Sequence, residues 1–226
     1  MITMRSLMAC ALLVTLAGCG GAPEPEPAAP APASTPAASA GTPAPSTSAP
    51  PADGRLAPEQ ETFWNKLQAH CGQAYAGTVD DVTEYYREGL EGKALIAHFR
   101  ECAPGRIHIA LHENEDRSRN WILTLADGTV RLKHDHRHED GTEDSVTQYG
   151  GDAPVPGLPE RQIFRADQHT AQILPLRADN FWFFHFVDGD RTLHYGVHWP
   201  TMGHSVRMAF DLSKPIAAPP PPWGYQ

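Results

Sequence analysis

The sequence predicts a mainly β, antiparallel fold, a barrel or a sandwich, entered through a single N-terminal helix. Three observations carry this. Past Gly72, short apolar-alternating runs follow one another closely, in the pattern of half-buried strands. Asp127-Gly128 and Asp188-Gly189-Asp190 separate such runs and carry the residues that tight hairpins require. No strand–helix–strand rhythm accompanies them, so a parallel sheet is excluded.

Ahead of that folded part stands a targeting segment. Met1 to Arg5 are weakly cationic, and Leu7 to Leu16 form an apolar run too short to span a bilayer. Leu16-Ala17-Gly18-Cys19 then matches a lipobox, so cleavage is expected after residue 18 and acylation at Cys19. The chain is therefore expected to partner the membrane through an N-terminal lipid anchor. Gly20 in place of Asp favours the outer membrane, facing the periplasm. The tether runs from 19 to 58; from 22 to 58 nearly all residues are Pro, Ala, Ser, Thr and Glu, with eleven of the 22 prolines there. Such a segment has nothing to bury and should form a semi-stiff tether reaching up to roughly 100 Å.

The rest, 59–214 with a proline-rich tail at 215–226, is long enough for one core. With Arg5, Arg55, Glu24, Glu26 and Asp53 set aside, 16 bases face 24 acids. An acidic domain without a clustered basic face offers nucleic acid no footprint. With Cys10 cleaved off and Cys19 acylated, Cys71 and Cys102 are the free cysteines left, and an oxidising compartment makes them one expected disulfide.

The elements follow in order. Pro58 opens a helix over 58–70, with Phe63, Trp64 and Leu67 on one stripe. Ile107, Ile109 and Leu111 alternate on a strand; 121–125 and 129–138 flank the first hairpin turn. Further strands are expected at 162–165, 171–176, 181–187, 192–199 and 204–212. The last puts His204, Val206, Met208, Phe210 and Leu212 on one face. The tail, ending in Trp223-Gly-Tyr-Gln, is expected to lie along the surface.

Chemistry concentrates on 129–141. Alternation places Val130, Leu132, His134, His136 and His138 in one row, and Arg131, Lys133, Asp135, Arg137 and Glu139 in the other. The apolar start of the first row points it inward, so three imidazoles continue an interior face. Neutral imidazole is a common metal ligand, and an adjacent pair could share an ion with ligands from neighbouring strands, the candidates being His112 or Glu113, His185, and His194 or His198. A divalent metal such as zinc is the cofactor that would fit, ahead of haem. The alternative is a set of histidines that brace the fold through hydrogen bonds. The stretch from His112 to Trp121 reads as a charged connection in which Arg117, Arg119 and His112 could contact an anionic ligand, the alternative, which is favoured, being that Arg117 and Arg119 pair with the acidic turn at 139–144. No nucleophile elbow, phosphate loop, dinucleotide fingerprint or helical H-E-x-x-H occurs.

Asp116-Arg-Ser-Arg-x-Trp121, Leu132-Lys-His-Asp-His-Arg-His-Glu-Asp-Gly141, Tyr149-Gly-Gly151 and Phe164-x-Ala-Asp167-x-x-Thr170 resemble a group of uncharacterised bacterial secreted proteins and lipoproteins. The resemblance covers most of 60–213 and implies an envelope protein; Arg165 stands where the group's pattern has Pro. A short helix leading into Gly72-x-x-Tyr75-x-Gly77 is similar to the opening of calycin-type barrels such as lipocalins, which favours the barrel. The resulting expectation is a tethered barrel that binds a small ligand or metal beside the histidine strand. A structural envelope module and a metal-dependent hydrolase are the alternatives.

Overall fold

The computed structural model describes residues 55–154 and 156–226; the cleavage site, Cys19 and most of the tether lie outside the described residues. A helix, α1 (Pro58–Gln68), leads into β1 (Ala74–Val82), a short helix α2 (Glu84–Leu90), β2 (Leu95–Ala103), β3 (Arg106–Glu113), β4 (Asp116–Ala126), β5 (Thr129–His136) and β6 (Tyr149–Asp152). Then come β7 (Arg161–Arg165), a short helix α3 (Gln168–Ile173), β8 (Phe181–Val187), β9 (Thr192–Trp199) and β10 (His204–Ile216). Every strand pairs antiparallel with its sequence neighbour except β6 with β7, and β1 pairs with β10. The result is a ten-stranded, up-and-down, nearly closed barrel. The barrel expectation holds, with ten strands where the alternation suggested about eight.

The seam between β6 and β7 is bridged by single contacts. Asp167 donates its backbone N–H to Gly150 O at 2.8 Å, and the Thr170 hydroxyl both donates to Gly150 O and accepts from Gly150 N. Gly151 carries no Cβ because one would stand 1.9 Å from Arg165 O.

Helix α1 covers one end. Its Phe63, Trp64 and Leu67 are buried as the stripe predicts, Phe63 edge-on to Phe186. Gln60 donates to Thr129 Oγ1 and Lys66 pairs with Asp190, fixing the helix beside the two predicted hairpin turns. Asp127, Gly128, Asp188, Gly189 and Asp190 all have positive φ, as such turns demand. Cys71 and Cys102 are disulfide-bonded, tying the end of α1 to β2. In the chain-entropy picture, a bridge over 31 residues stabilises the fold by about 3–4 kcal/mol. Above α1 the interior is filled by Phe99, Ile107, Ile109, Leu123, Leu132, Phe164, Phe184 and Phe210, all fully buried.

Two expectations are corrected. Residues 171–176 are helical, not a strand: Asp167 caps α3 by accepting from Thr170 N, and Pro175–Arg177 continues as a 3-10 turn. The charged connection at 112–121 is mostly strand, since β3 runs to Glu113 and β4 starts at Asp116. The tail docks along the outer barrel wall: Arg117 donates to Pro221 O and Tyr225 donates to Asp135.

Candidate functional site

The end of the barrel opposite α1 is not filled. A cavity of about 400 Å³ opens there, between the upper interior and α2. Its walls are apolar and aromatic: Leu111, Trp121, Val197, Trp199, Val206 and Met208, with Tyr86 overhead. Its polar groups are few and converge from four directions: Lys93, Glu113, Arg119, His134, His136, Tyr149 and Arg177. An apolar cleft of a few hundred Å³ with a handful of placed polar groups is the usual form of a small-molecule site. A larger groove, about 710 Å³, runs outside the barrel between the start of α1 and the Ala126–Gly128 turn. It lacks this convergence of polar groups.

The register explains which side chains reach the cavity. Trp121 stands opposite His134, and Arg119 opposite His136, on the inward faces of β4 and β5. His134 is buried and saturated. Its Nδ1 lies 3.1 Å from the carbonyl of Tyr149, which can only accept, so Nδ1 carries the proton. Nε2 then accepts from the Tyr195 hydroxyl at 2.7 Å. The ring stacks on Tyr149 and packs beside Trp182. Burial, then the neighbouring His136 and Lys133, depresses its pKa to about 3 against the hydrogen bond to Tyr149. His136 is nearer the mouth, its Nε2 3.0 Å from the Tyr149 hydroxyl. Burial and the facing Arg119 guanidinium lower it to about 4, and both imidazoles are neutral at physiological pH. Burial pushes Tyr149 up to about 12, so it is a neutral phenol.

The charges at the mouth are organised around Glu113, whose side chain is 4% exposed. Lys93 pairs with it at 2.7 Å and Arg119 Nε lies 3.5 Å from its other oxygen. Arg119 also pairs with Asp116. Arg177 sits over the face of Trp199, which also stacks on Tyr86. Tyr85, 71% exposed, stacks on His204 at the rim. Helix α2 buries no residue of its own, so these rings and the Thr83–Ser205 contact hold it over the opening.

Only some of the expected site residues meet here. His134, His136 and Arg119 do. His138 does not: β5 ends at His136, and His138 stands exposed in the loop, its N–H donating to Thr142 O. Arg117 and His112 are on the outer wall. The register pairs Leu111 with Arg119 but Glu113 with Asp116, so Arg117 and Ser118 together oppose His112. That bulge turns Arg117 outward to the tail. The three-histidine arrangement is thus not formed. Among the described residues, no group of three or more His, Cys, Asp and Glu side chains is placed to hold a metal ion. Glu113, expected only as a metal ligand beside the 107–111 strand, lines the mouth through its inward phase with Ile107, Ile109 and Leu111; Lys93, Tyr149 and Arg177, which also line it, carried no such signal.

Comparisons with protein-family models, curated proteins and solved structures find no match for the chain.

Proposed function

We propose that the barrel is the ligand-binding head of a lipid-anchored envelope protein, and that its mouth takes a small amphipathic organic anion. The observation that carries this is Arg119 at the polar end of a cavity walled by Trp121, Trp199 and Tyr86. The half-buried Arg119 guanidinium presents donors in a fixed fork that suits a carboxylate or sulfonate. The aromatic walls suit the apolar body behind it. Arg119, Arg177 and Lys93 against Glu113 leave the lining with an excess of positive charge. The tyrosine hydroxyls and neutral His136 add hydrogen bonds without a competing negative charge. The export segment and lipobox at Cys19 supply the anchor in this reading, and the tether sets the working distance from the membrane.

The test uses the full chain purified in mild detergent and titrated with 8-anilinonaphthalene-1-sulfonate and with oleate. Saturable one-site binding that weakens about tenfold or more in Arg119→Gln supports the proposal. Absence of saturable binding by either probe, or equal affinity in a folded Arg119→Gln protein, refutes it.

A further inference from the structure

A second cluster lies outside the barrel, beneath the C-terminal tail. Among the described residues seven buried side-chain atoms lack a hydrogen-bond partner, and four of them belong here: His98 Nδ1, Arg100 Nη1, His112 Nε2 and Trp223 Nε1. His98 and His112 are diagonal neighbours on the outer face of β2 and β3, where His98 pairs with Ala110 and His112 with Ile96. Arg100 follows in the bulge of β2, and its other terminal nitrogen donates to the main-chain oxygen of Gln226 at 3.4 Å. Trp223 is fixed from the tail side, its backbone N–H donating to Arg117 O. His112 is 2% exposed, and Ala110 beside it on the same outward row is fully buried, so the cluster is covered. His98, Arg100 and Arg117 all act electrostatically on His112, and Arg117, whose carbonyl holds the Trp223 backbone, stands in the bulge opposite His112.

The chemistry of the four atoms points one way. A guanidinium nitrogen and an indole nitrogen can only donate, and a neutral imidazole nitrogen can donate in one tautomer. What such a group lacks is an acceptor. A metal cation is disfavoured, because Arg100 and Arg117 charge the spot positively. Asp116, an acid that acts on His112, is already engaged by Arg119 and by the Ser118 N–H. Buried polar atoms without partners cost on the order of 1–3 kcal/mol each, so an occupant that satisfies several at once is strongly favoured.

We propose that the niche formed by His98, Arg100, His112 and Trp223 is a binding site for a small oxyanion of the phosphate or sulfate class, closed by the C-terminal tail. The anion would bridge the tail to β2 and β3, so occupancy and tail docking are coupled. This site is separate from the mouth cavity and does not depend on what that cavity binds.

The experiment uses the full chain labelled with 15N-tryptophan, which has five indole N–H groups; Trp223→Phe identifies the resonance of Trp223 while keeping an aromatic ring. Inorganic phosphate and sulfate are titrated against chloride at constant ionic strength. The expected result is a saturable shift of the Trp223 resonance with phosphate or sulfate and not with chloride. Its midpoint should move about tenfold or more in Arg100→Gln. Arg100→Lys, which keeps the charge, replaces it should the glutamine variant lose its fold. No shift beyond chloride, or an unchanged midpoint in a folded Arg100 variant, overturns the proposal and leaves water as the partner of these atoms.

Discussion

Arg119 holds its Nε 3.5 Å from Oε1 of Glu113, and the carboxylate so gripped is almost wholly buried at the mouth of the barrel. Lys93 grips the same carboxylate from the other side. The pair sets the charge a ligand meets. Glu113→Gln keeps the shape and frees two cations, so affinity for an anionic probe should rise, by about three- to tenfold. The titration that tests Arg119→Gln also tests this; weaker anion binding in Glu113→Gln would show that Glu113 orients Arg119 more than it neutralises it.

The buried histidines make stability depend on pH in a definite direction. In the unfolded chain an imidazole titrates near 6.5. In the fold, His134 is lowered to about 3 and His136 and His112 to about 4, burial being the largest cause in each case. Between those values and 6.5 the unfolded chain binds more protons than the folded one. Stability from these groups is therefore fully present above about pH 6.5 and lost as pH falls. For His134, almost fully buried, the loss should reach about 2 kcal/mol by pH 5. Urea midpoints at pH 7.5 and pH 5 measure it. His134→Gln should narrow the gap between them, and an unchanged gap would reassign the effect to other histidines.

The tail is held by a buried carboxylate. Asp135, 1% exposed in its side chain, accepts from Arg137, Gln148 and the Tyr225 hydroxyl. Tyr225→Phe removes one donor and should cost about 1–2 kcal/mol in urea unfolding. Gly224 is a sharper test. Its φ is +78°, and a Cβ would stand 2.9 Å from Gly141 O, so Gly224→Ala should undock the tail. Faster trimming by a carboxypeptidase, with the barrel intact, is the expected readout; trimming at the parent's rate would show that the tail tolerates the strain.

The parts of this fold legible in the sequence are those fixed by local rules. The α1 stripe, the two hairpin turns and the alternation of β10 each need only a few neighbouring residues. Even the inward phase of His134 and His136 followed from Val130 and Leu132. Where reading failed, a non-local partner had changed the local meaning. Asp116 to Asn120 looked like a loop because both its faces are polar. One face lines the polar mouth, and the other is covered by a tail a hundred residues away. His138 leaves the row because β5 stops at His136 and the chain turns at Asp140-Gly141, a signal just beyond the segment expected as strand. At Asp167-x-x-Thr170 a helix cap competes with the mixed apolar run after it, and the cap wins. Helix α2 buries nothing and so left no stripe to find. The cavity itself could not be read, since it depends on how ten strands converge.

The seam between β6 and β7 yields the most severe mutational prediction. Gly150 has a φ of +141°, and a Cβ there would come 2.1 Å from Leu132 O. At Gly151 the obstruction is Arg165 O at 1.9 Å, again backbone, which cannot swing aside as a side chain would. Either alanine must push β6 away from β5 or from the residues after β7, breaking the Asp167–Gly150 and Thr170–Gly150 hydrogen bonds. Opening the seam also loosens Tyr149, which stacks on His134 and lines the mouth. Gly151→Ala should therefore lose about 3 kcal/mol or more and weaken probe binding together with it. Hydrogen exchange at the Asp167 amide reports the seam directly: it should quicken in Gly151→Ala while the β9–β10 amides stay protected. Equal loss of protection across all strands would mean that the seam is not a local weak point but part of the cooperative core.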